Sequence, residues 1–457
     1  MKKLFFAMAT LLFIPSIAYA EKANDISKEI TYTENGTVIN KINDENIKTS
    51  YKVKNGSSIT IHSESNNIKQ LYIIYELSSQ KGKLVSDKNE EVILGSNGFL
   101  HEYVNLKTAA GEVTLTFDDD VNINEIDVFT DGETPYYVQK WVKETKTDLM
   151  IFSTHADDEQ LFFAGVMPTY INQGKKVHVV YLARHDVGSY YAPSRLHEQL
   201  DGLWTLGVTD YPTFGLIPDA YSENIDVARS QMNSAGFTDN DVIKFDVEQI
   251  RLYKPKVILG HDENGEYSHG QHILNAATLK EAVFKAADQT YTEVNLDAYN
   301  TPKFYIHLYD IDNKTELDYD IPLEKYDGKT AYQVSKEGYS KHLSQQYTWF
   351  TRWLNGNNNE YTSSKQITKY NPAYWGLYKS EVGPDINRND LFENIEEETI
   401  KQDDGADIST LVEDNKQIKE SLDDLYNKYK DLVIIVSGLV VIVGMISIVL
   451  IKRSELK

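Results

Sequence analysis

Between residues 21 and about 140, apolar side chains alternate with polar ones in short runs: Ile59 and Ile61; Val113, Leu115 and Phe117; Ile126 and Val128. Strand side chains point alternately to two faces, so each run reads as a strand with one buried face. Asn55-Gly56, Ser96-Asn97-Gly98 and Asp131-Gly132 fall between runs and supply turns. The pattern predicts an all-β sandwich over 21–140, with no helix of useful length.

From about residue 146 the period changes. "DLMIFST" is an apolar strand, and Asp158 to about Gln173 has helical character ended by Gly174. "KKVHVVYLA", "PKVILG" and "KFYIHLYD" are further strands. Between them lie two helical stretches: "SRLHEQLDGLWTLGV", with Leu196, Leu200, Leu203 and Trp204 on one face, and "HGQHILNAATLKEAVFKAAD". Strands alternating with helices predict an α/β domain over 146–395, with a Rossmann-like parallel sheet and right-handed crossovers. In such sheets sites form beyond the carboxyl ends of the strands.

The ends of the chain change the picture. Lys2 and Lys3, an apolar core from Leu4 to Ile14 and Ala18-Tyr19-Ala20 fit a cleaved signal peptide over 1–20. Residues 396–431 are acidic and polar and read as a stalk. Leu432 to Ile451 carries no charge and, at about 1.5 Å per residue, spans about 30 Å, so it predicts a transmembrane helix with 452–457 as a cytoplasmic tail. The expectation is a single-pass cell-membrane protein, its ectodomain extracellular and its C-terminus cytoplasmic. The net charge of −23 excludes nucleic acid as a partner, since phosphate binding needs a basic face. There is no cysteine, so packing or metal must hold the ectodomain.

Two loops carry the candidate chemistry. "STHADDEQLFFAG" (153–165) follows the first strand of the α/β domain, and "GHDENGEYSHGQH" (260–272) follows the third. Both fall on one rim. His269 and His272, three apart at a helix start, share a face. Carboxylates gathered without a counter-charge call for a cation. Two histidines and a carboxylate with open positions suit zinc, and the same triad suits ferrous iron. A second carboxylate beside them is placed to act as general base on water.

The first stretch resembles the AHPDDE motif of the PIG-L / LmbE-like deacetylases, and "SHGQH" resembles their HPDH motif. The resemblance extends over about 146–395, taking in Arg195 and Glu198 and the later "KHLSQQ" and "YKSEVGPD". It implies that His155, Asp158 and His272 bind zinc and that Asp157 is the general base. It implies that His269 steadies the oxyanion or protonates the leaving amine, that Arg195 and Asp219 hold the sugar, and that Glu159 orients a ligand. Thr154 and Ala156 stand where the family has Ala and Pro. Gln271 stands where it has Asp, so it would orient the His269 ring by hydrogen bonding rather than by charge.

The reading is a membrane-anchored extracellular zinc de-N-acetylase acting on N-acetylglucosamine units of an envelope glycan, with the sandwich as an accessory or carbohydrate-binding domain. Two others stay open: a carbohydrate-binding surface protein with an inactive α/β domain, and a metal-dependent amidase or esterase on another acylated envelope component. Among the remaining histidines, His178 reads as a satisfied core residue and His62 and His101 belong to the sandwich. His197 and His342 read as exposed helix positions, and His185, His261 and His307 as pocket neighbours. Thirty-one tyrosines offer sugar platforms, none singled out.

Overall fold

The structure is a computed structural model that describes residues 21–65, 67–77, 81–187 and 192–396. Those up to Ile395 form one compact unit. The expected signal peptide falls outside the described residues, as does the stalk beyond Glu396.

The first ten strands are β1 (Thr31–Glu34), β2 (Thr37–Val38), β3 (Tyr51–Val53), β4 (Ser58–His62), β5 (Ile68–Tyr75), β6 (Gly82–Ser86), β7 (Glu91–Leu94), β8 (His101–Ala110), β9 (Glu112–Phe117) and β10 (Val121–Phe129). They form two antiparallel sheets, in the orders β2-β1-β4-β9-β6-β7 and β3-β10-β5-β8. The alternation in the sequence is the reason. Ile59, Ile61, Val113 and Leu115 of one sheet and Leu71, Ile73, Ile126 and Val128 of the other are fully buried in a shared apolar core. The intervening side chains of β4 and β9 are only half-buried.

The α/β part begins with β11 (Leu149–Ser153), β12 (Val177–Tyr181), a short parallel pair β13 (Ala183–Arg184) and β14 (Ile217–Pro218), and β15 (Val257–Gly260). It ends with β16 (Lys303–His307), β17 (Thr315–Glu316) and β18 (Tyr374–Ser380). The central sheet runs β12-β11-β15-β16-β18-β17, its first four strands parallel and the last two antiparallel additions. Residues of β11, β12, β15 and β16 are buried on both faces, as a sheet covered by helices requires. The crossover from β11 leads to β12 on one side, and the chain after β12 returns past β11 to β15 on the other. The crevice at the carboxyl ends of β11 and β15 is therefore the topological switch point.

The helices are α1 (Asp158–Leu161), α2 (Val166–Asn172), α3 (Ser194–Thr205), α4 (Ile225–Ser234), α5 (Asp239–Tyr253), α6 (Gly270–Ala287), α7 (Ala331–Tyr339) and α8 (Thr351–Asn355). The single helix expected over 158–173 is two. Gly165, at φ +85°, breaks it, and a Cβ there would lie 2.4 Å from the Tyr319 ring. The close approach of Tyr319, a residue remote in sequence, sets the break.

The expectation of a C-terminal membrane-spanning helix is corrected. Among the described residues no helix is long and apolar enough to cross a membrane. The longest, α6, has 18 residues and carries Lys280, Glu281 and Lys285. Residues 432–451, on which that expectation falls, lie outside the described residues. The described architecture is mixed α/β with several sheets.

The sheet pair meets the α/β part through polar contacts as well as packing. The backbone N–H of Leu100 donates to the Tyr211 hydroxyl (2.8 Å). Tyr72, His101 and His197 form a buried chain: the Tyr72 hydroxyl lies 2.7 Å from His101 Nδ1, and His101 Nε2 lies 2.8 Å from His197 Nδ1. His197 Nε2 reaches the Glu76 carbonyl at 3.2 Å.

Candidate metal centre

The loop after β11 and the loop leading into α6 meet at the switch point. His155 Nδ1 lies 2.9 Å from Asp158 Oδ2 and 3.2 Å from His272 Nε2, and His272 Nε2 lies 3.0 Å from Asp158 Oδ2. Ligands about 2.0–2.1 Å from a tetrahedral zinc would stand about 3.3 Å apart. The three atoms make a triangle of nearly that edge, so the donor set fits a divalent cation.

Hydrogen bonds behind the rings fix which nitrogen faces the triangle. His155 Nε2 is 2.9 Å from Gln271 Oε1, an acceptor, so Nε2 carries the proton and Nδ1 the lone pair. His272 Nδ1 is 2.8 Å from Glu266 Oε2, which leaves its Nε2 lone pair facing inward. His261 also lies near Asp158 and His272. Its Nε2, however, accepts the backbone N–H of Thr154 (3.0 Å) while Nδ1 donates to Glu266 (2.8 Å). With both nitrogens engaged, His261 buttresses the site rather than ligating in it.

The electrostatics are those of a cation site. Burial opposes the charge of His272, yet Asp158 and Glu266 outweigh it and push its pKa up to about 10, so the inward Nε2 favours a positive charge and offers its lone pair once a bound cation takes the place of the proton. His155 is raised in the same sense, against its burial, by Asp158 and Asp219. Burial also opposes ionisation of Asp158, but the two imidazoles hold it well below the usual carboxylate range.

Asp157 stands beside this triangle in a backbone conformation, φ +112°, that non-glycine residues rarely adopt. Its N–H donates to Glu159 Oε2 (2.9 Å), and Glu159 Oε1 pairs with His342 Nε2 (2.8 Å). Burial raises the Asp157 pKa to about 7, against the pull of Arg195, whose Nη2 lies 3.4 Å from Asp157 Oδ1. Arg195 Nη1 also meets Asp219 Oδ2 at 3.2 Å, and its Nη2 donates to the Ala156 carbonyl. His269 Nδ1 accepts the N–H of Gln271 (3.2 Å), so its proton resides on Nε2. Burial and the two neighbouring imidazoles hold its pKa down at about 2. His155, Asp157, Asp158, Arg195, Asp219 and His269 line a pocket of about 180 Å³.

All nine residues singled out in the sequence converge here, with one change of partner. Gln271 orients His155, not His269: its amide reaches across to the first loop, and Nε2 is anchored on the Pro218 carbonyl (3.0 Å). Two histidines expected at exposed helix positions lie inside the protein. His197 and His342 are buried, because each has a polar partner from a distant segment.

Glu266 belongs to neither motif yet anchors the site. It is fully buried and accepts from three imidazoles: His261, His272 and His307, the last at 2.6 Å. Its signal in the sequence is a glutamate immediately before Tyr-Ser-His, in the loop that carries His269 and His272. An aromatic wall of Tyr267, Trp349, Phe350 and Trp353, with ring centroids 4.5–5.8 Å apart, stands beside the pocket. Tyr267 comes from the second motif loop, and Trp349, Phe350 and Trp353 come from a segment with no motif.

Residues 150–283 match the family model described as PIG-L: GlcNAc-PI de-N-acetylase, which bears out the resemblance drawn from the two motifs. A 1D-myo-inositol 2-acetamido-2-deoxy-alpha-D-glucopyranoside deacetylase of Kribbella flavida is 27% identical over 183 residues, covering 34% of this chain and 60% of the relative. A mycothiol S-conjugate amidase of Streptomyces coelicolor is 29% identical over 194 residues, covering 34% and 59%. The chain thus spans about three fifths of the length of these relatives. An N,N'-diacetylchitobiose deacetylase from Pyrococcus horikoshii aligns over 50% of this chain and 83% of its own, at 13% identity and a TM-score of 0.35.

Proposed function

From the premise that residues 150–283 are a PIG-L segment, we propose that the protein is a metal-dependent de-N-acetylase of N-acetylglucosamine-type sugars. The observation that carries this is the triangle of inward lone pairs on His155, Asp158 and His272, with the carboxylate of Asp157 beside it.

His155 Nδ1, Asp158 Oδ2 and His272 Nε2 would hold the cation, zinc or ferrous iron. When bound, it would polarise the acetamide carbonyl and make water at this point more acidic. The chain's own residues supply the rest. Asp157 takes a proton from the attacking water as the oxygen–carbon bond forms, and a pKa near neutrality suits that exchange. His269 donates its Nε2–H to the oxyanion that develops on the carbonyl oxygen. Asp157 then returns the proton to the leaving nitrogen as the C–N bond breaks, giving amine and acetate. Arg195 fixes the Asp157 carboxylate, and with Asp219 it offers polar contacts for sugar hydroxyls. Glu159 and His342 support the strained turn that aims Asp157.

A second reading, an amidase on another acylated compound, uses the same groups, and one relative is named as an amidase. The discriminating experiment incubates the purified protein with N-acetylglucosamine oligosaccharides and measures acetate and free amine. Release in equal amounts, abolished by chelator and restored by zinc or ferrous iron, supports the deacetylase. No release from any such sugar, alongside hydrolysis of another N-acyl substrate, moves the activity to the amidase reading.

A further inference from the structure

A larger cleft, about 1030 Å³, lies at the junction between the two antiparallel sheets and the α/β part, away from the metal centre. Its volume is at the upper end of the ~300–1,000 Å³ range of small-molecule sites, room for more than one pyranose ring. One wall comes from β5, β8 and the segment after β10, the other from the end of α3 and from 325–341.

The lining is aromatic and fixed. Tyr136 and Tyr137 are 66% and 49% exposed, a high value for rings in the middle of a folded chain. Tyr136 is locked to Trp204 by two reciprocal bonds. Its hydroxyl donates to the Trp204 carbonyl, and its own carbonyl accepts the indole N–H, both at 2.7 Å. Held rings lose little freedom when a ligand arrives. They also present apolar faces to the C–H face of a sugar, with polar edges alongside.

The polar groups between the rings are balanced in charge. Lys325, Lys329 and Lys341 line it together with Asp201, Asp327 and Glu337. Lys329 and Glu337 are already paired at 2.8 Å. Such a lining does not select an anion or a cation; it suits a neutral ligand rich in hydroxyls. Asp201 is built for this. One of its carboxylate oxygens accepts from Gln139 Nε2 (2.6 Å), and the other has no hydrogen bond from the described residues. Neutral, hydroxyl-rich and faced with apolar C–H groups describes a glycan.

We propose that this junction cleft is a second, non-catalytic glycan-binding site that holds a neutral oligosaccharide by Tyr136, Tyr137 and Asp201 while the metal centre works on another unit. Its choice of N-acetylglucosamine units rests on the function proposed above. The two sites share elements. α3 carries Arg195 near its start, and Asp201 and Trp204 lie roughly 9 Å and 14 Å further along the axis at 1.5 Å per residue. Ser340 and Lys341 line the cleft, and the next residue, His342, pairs with Glu159 behind the base.

The test uses the full chain. N-acetylglucosamine hexamer is titrated calorimetrically into an Asp157→Asn variant, which cannot consume it, and into the same variant with Tyr136→Ala and Tyr137→Ala. The expected loss of affinity is about tenfold, roughly 1.4 kcal/mol. Asp201→Asn, which keeps an acceptor for Gln139, should weaken hexamer binding severalfold and serves if the tyrosine variant fails to fold. Acetate release from the N-acetylglucosamine disaccharide by the tyrosine variant with Asp157 intact should stay within about twofold of the unaltered protein. Hexamer affinity unchanged by both sets of substitutions, or no saturable binding, overturns the proposal. Tyrosine-dependent binding without acetate release from any glycan leaves the cleft standing and removes the deacetylase.

Discussion

The amide oxygen of Gln271 lies 2.9 Å from Nε2 of His155, and it settles which nitrogen of that ring faces the other two ligand atoms. An amide does this as well as a carboxylate would, because what matters is an acceptor in the right place. Gln271→Ala should therefore lower zinc affinity by about 10–100-fold, the usual cost of losing a ligand's hydrogen-bond partner. Gln271→Glu should bind within a few-fold of the unaltered protein. Competition with a chromogenic chelator reads both.

Glu266 should matter more to stability than any other residue of the site. It is buried with three imidazoles on its two oxygens, so Glu266→Ala leaves several donors unpaired at once. Losing one member of such a buried network costs on the order of 3–5 kcal/mol. Chemical denaturation of the metal-free protein should show this loss, separating it from the loss of metal binding.

Asp157→Asn should keep the metal and abolish turnover. The side chain takes no part in the triangle, so metal content should stay at the level of the unaltered protein. Acetate release should fall by at least about 10²–10⁴-fold, the contribution of a positioned proton carrier. Elemental analysis and an acetate assay on the same sample check it; loss of metal would place Asp157 among the ligands.

Acid should destabilise the junction between the sheets and the α/β part. In the chain Tyr72–His101–His197–Glu76 every nitrogen already has its role: the tyrosine hydroxyl donates, each ring accepts at Nδ1 and donates at Nε2, and a carbonyl receives. An added proton would set donor against donor. Burial holds His197 down to about 4, from an ordinary 6.5, and holds His101 well below its ordinary value. Above about pH 6.5 neither folded nor unfolded chain protonates these rings. Between about 6.5 and 4 the unfolded chain takes up protons that the folded pair refuses, so stability falls as pH falls. His197 alone accounts for on the order of 3 kcal/mol across that window. The drop in unfolding free energy between pH 7.5 and 5 should be smaller in His197→Gln.

Much of this was legible because it is local. Alternation fixed the faces of β4, β9 and β10, and the two loops after β11 and β15 declared themselves by composition and by position on one rim. What escaped depends on partners far away in sequence. His342 meets Glu159 across 183 residues, and periodicity alone put it on the surface. Tyr319 breaks the helix at Gly165 from outside the segment whose pattern predicted one helix. Gln271 sits one residue from His272 yet serves His155, because α6 presents its first turn to the other loop. Glu266 was visible only as one acid in the loop after β15; the fold shows three rings converging on it.

The central claim is that the triangle of His155, Asp158 and His272 is a metal site that drives deacetylation. The most direct measurement strips the protein of metal, adds zinc stepwise, and follows acetate release from N-acetylglucosamine disaccharide at each step. Activity absent at zero metal and rising to a break at one equivalent, with His272→Ala flat throughout, is the expected result. Acetate release from the stripped protein, or a His272→Ala variant that responds like the unaltered chain, would contradict it.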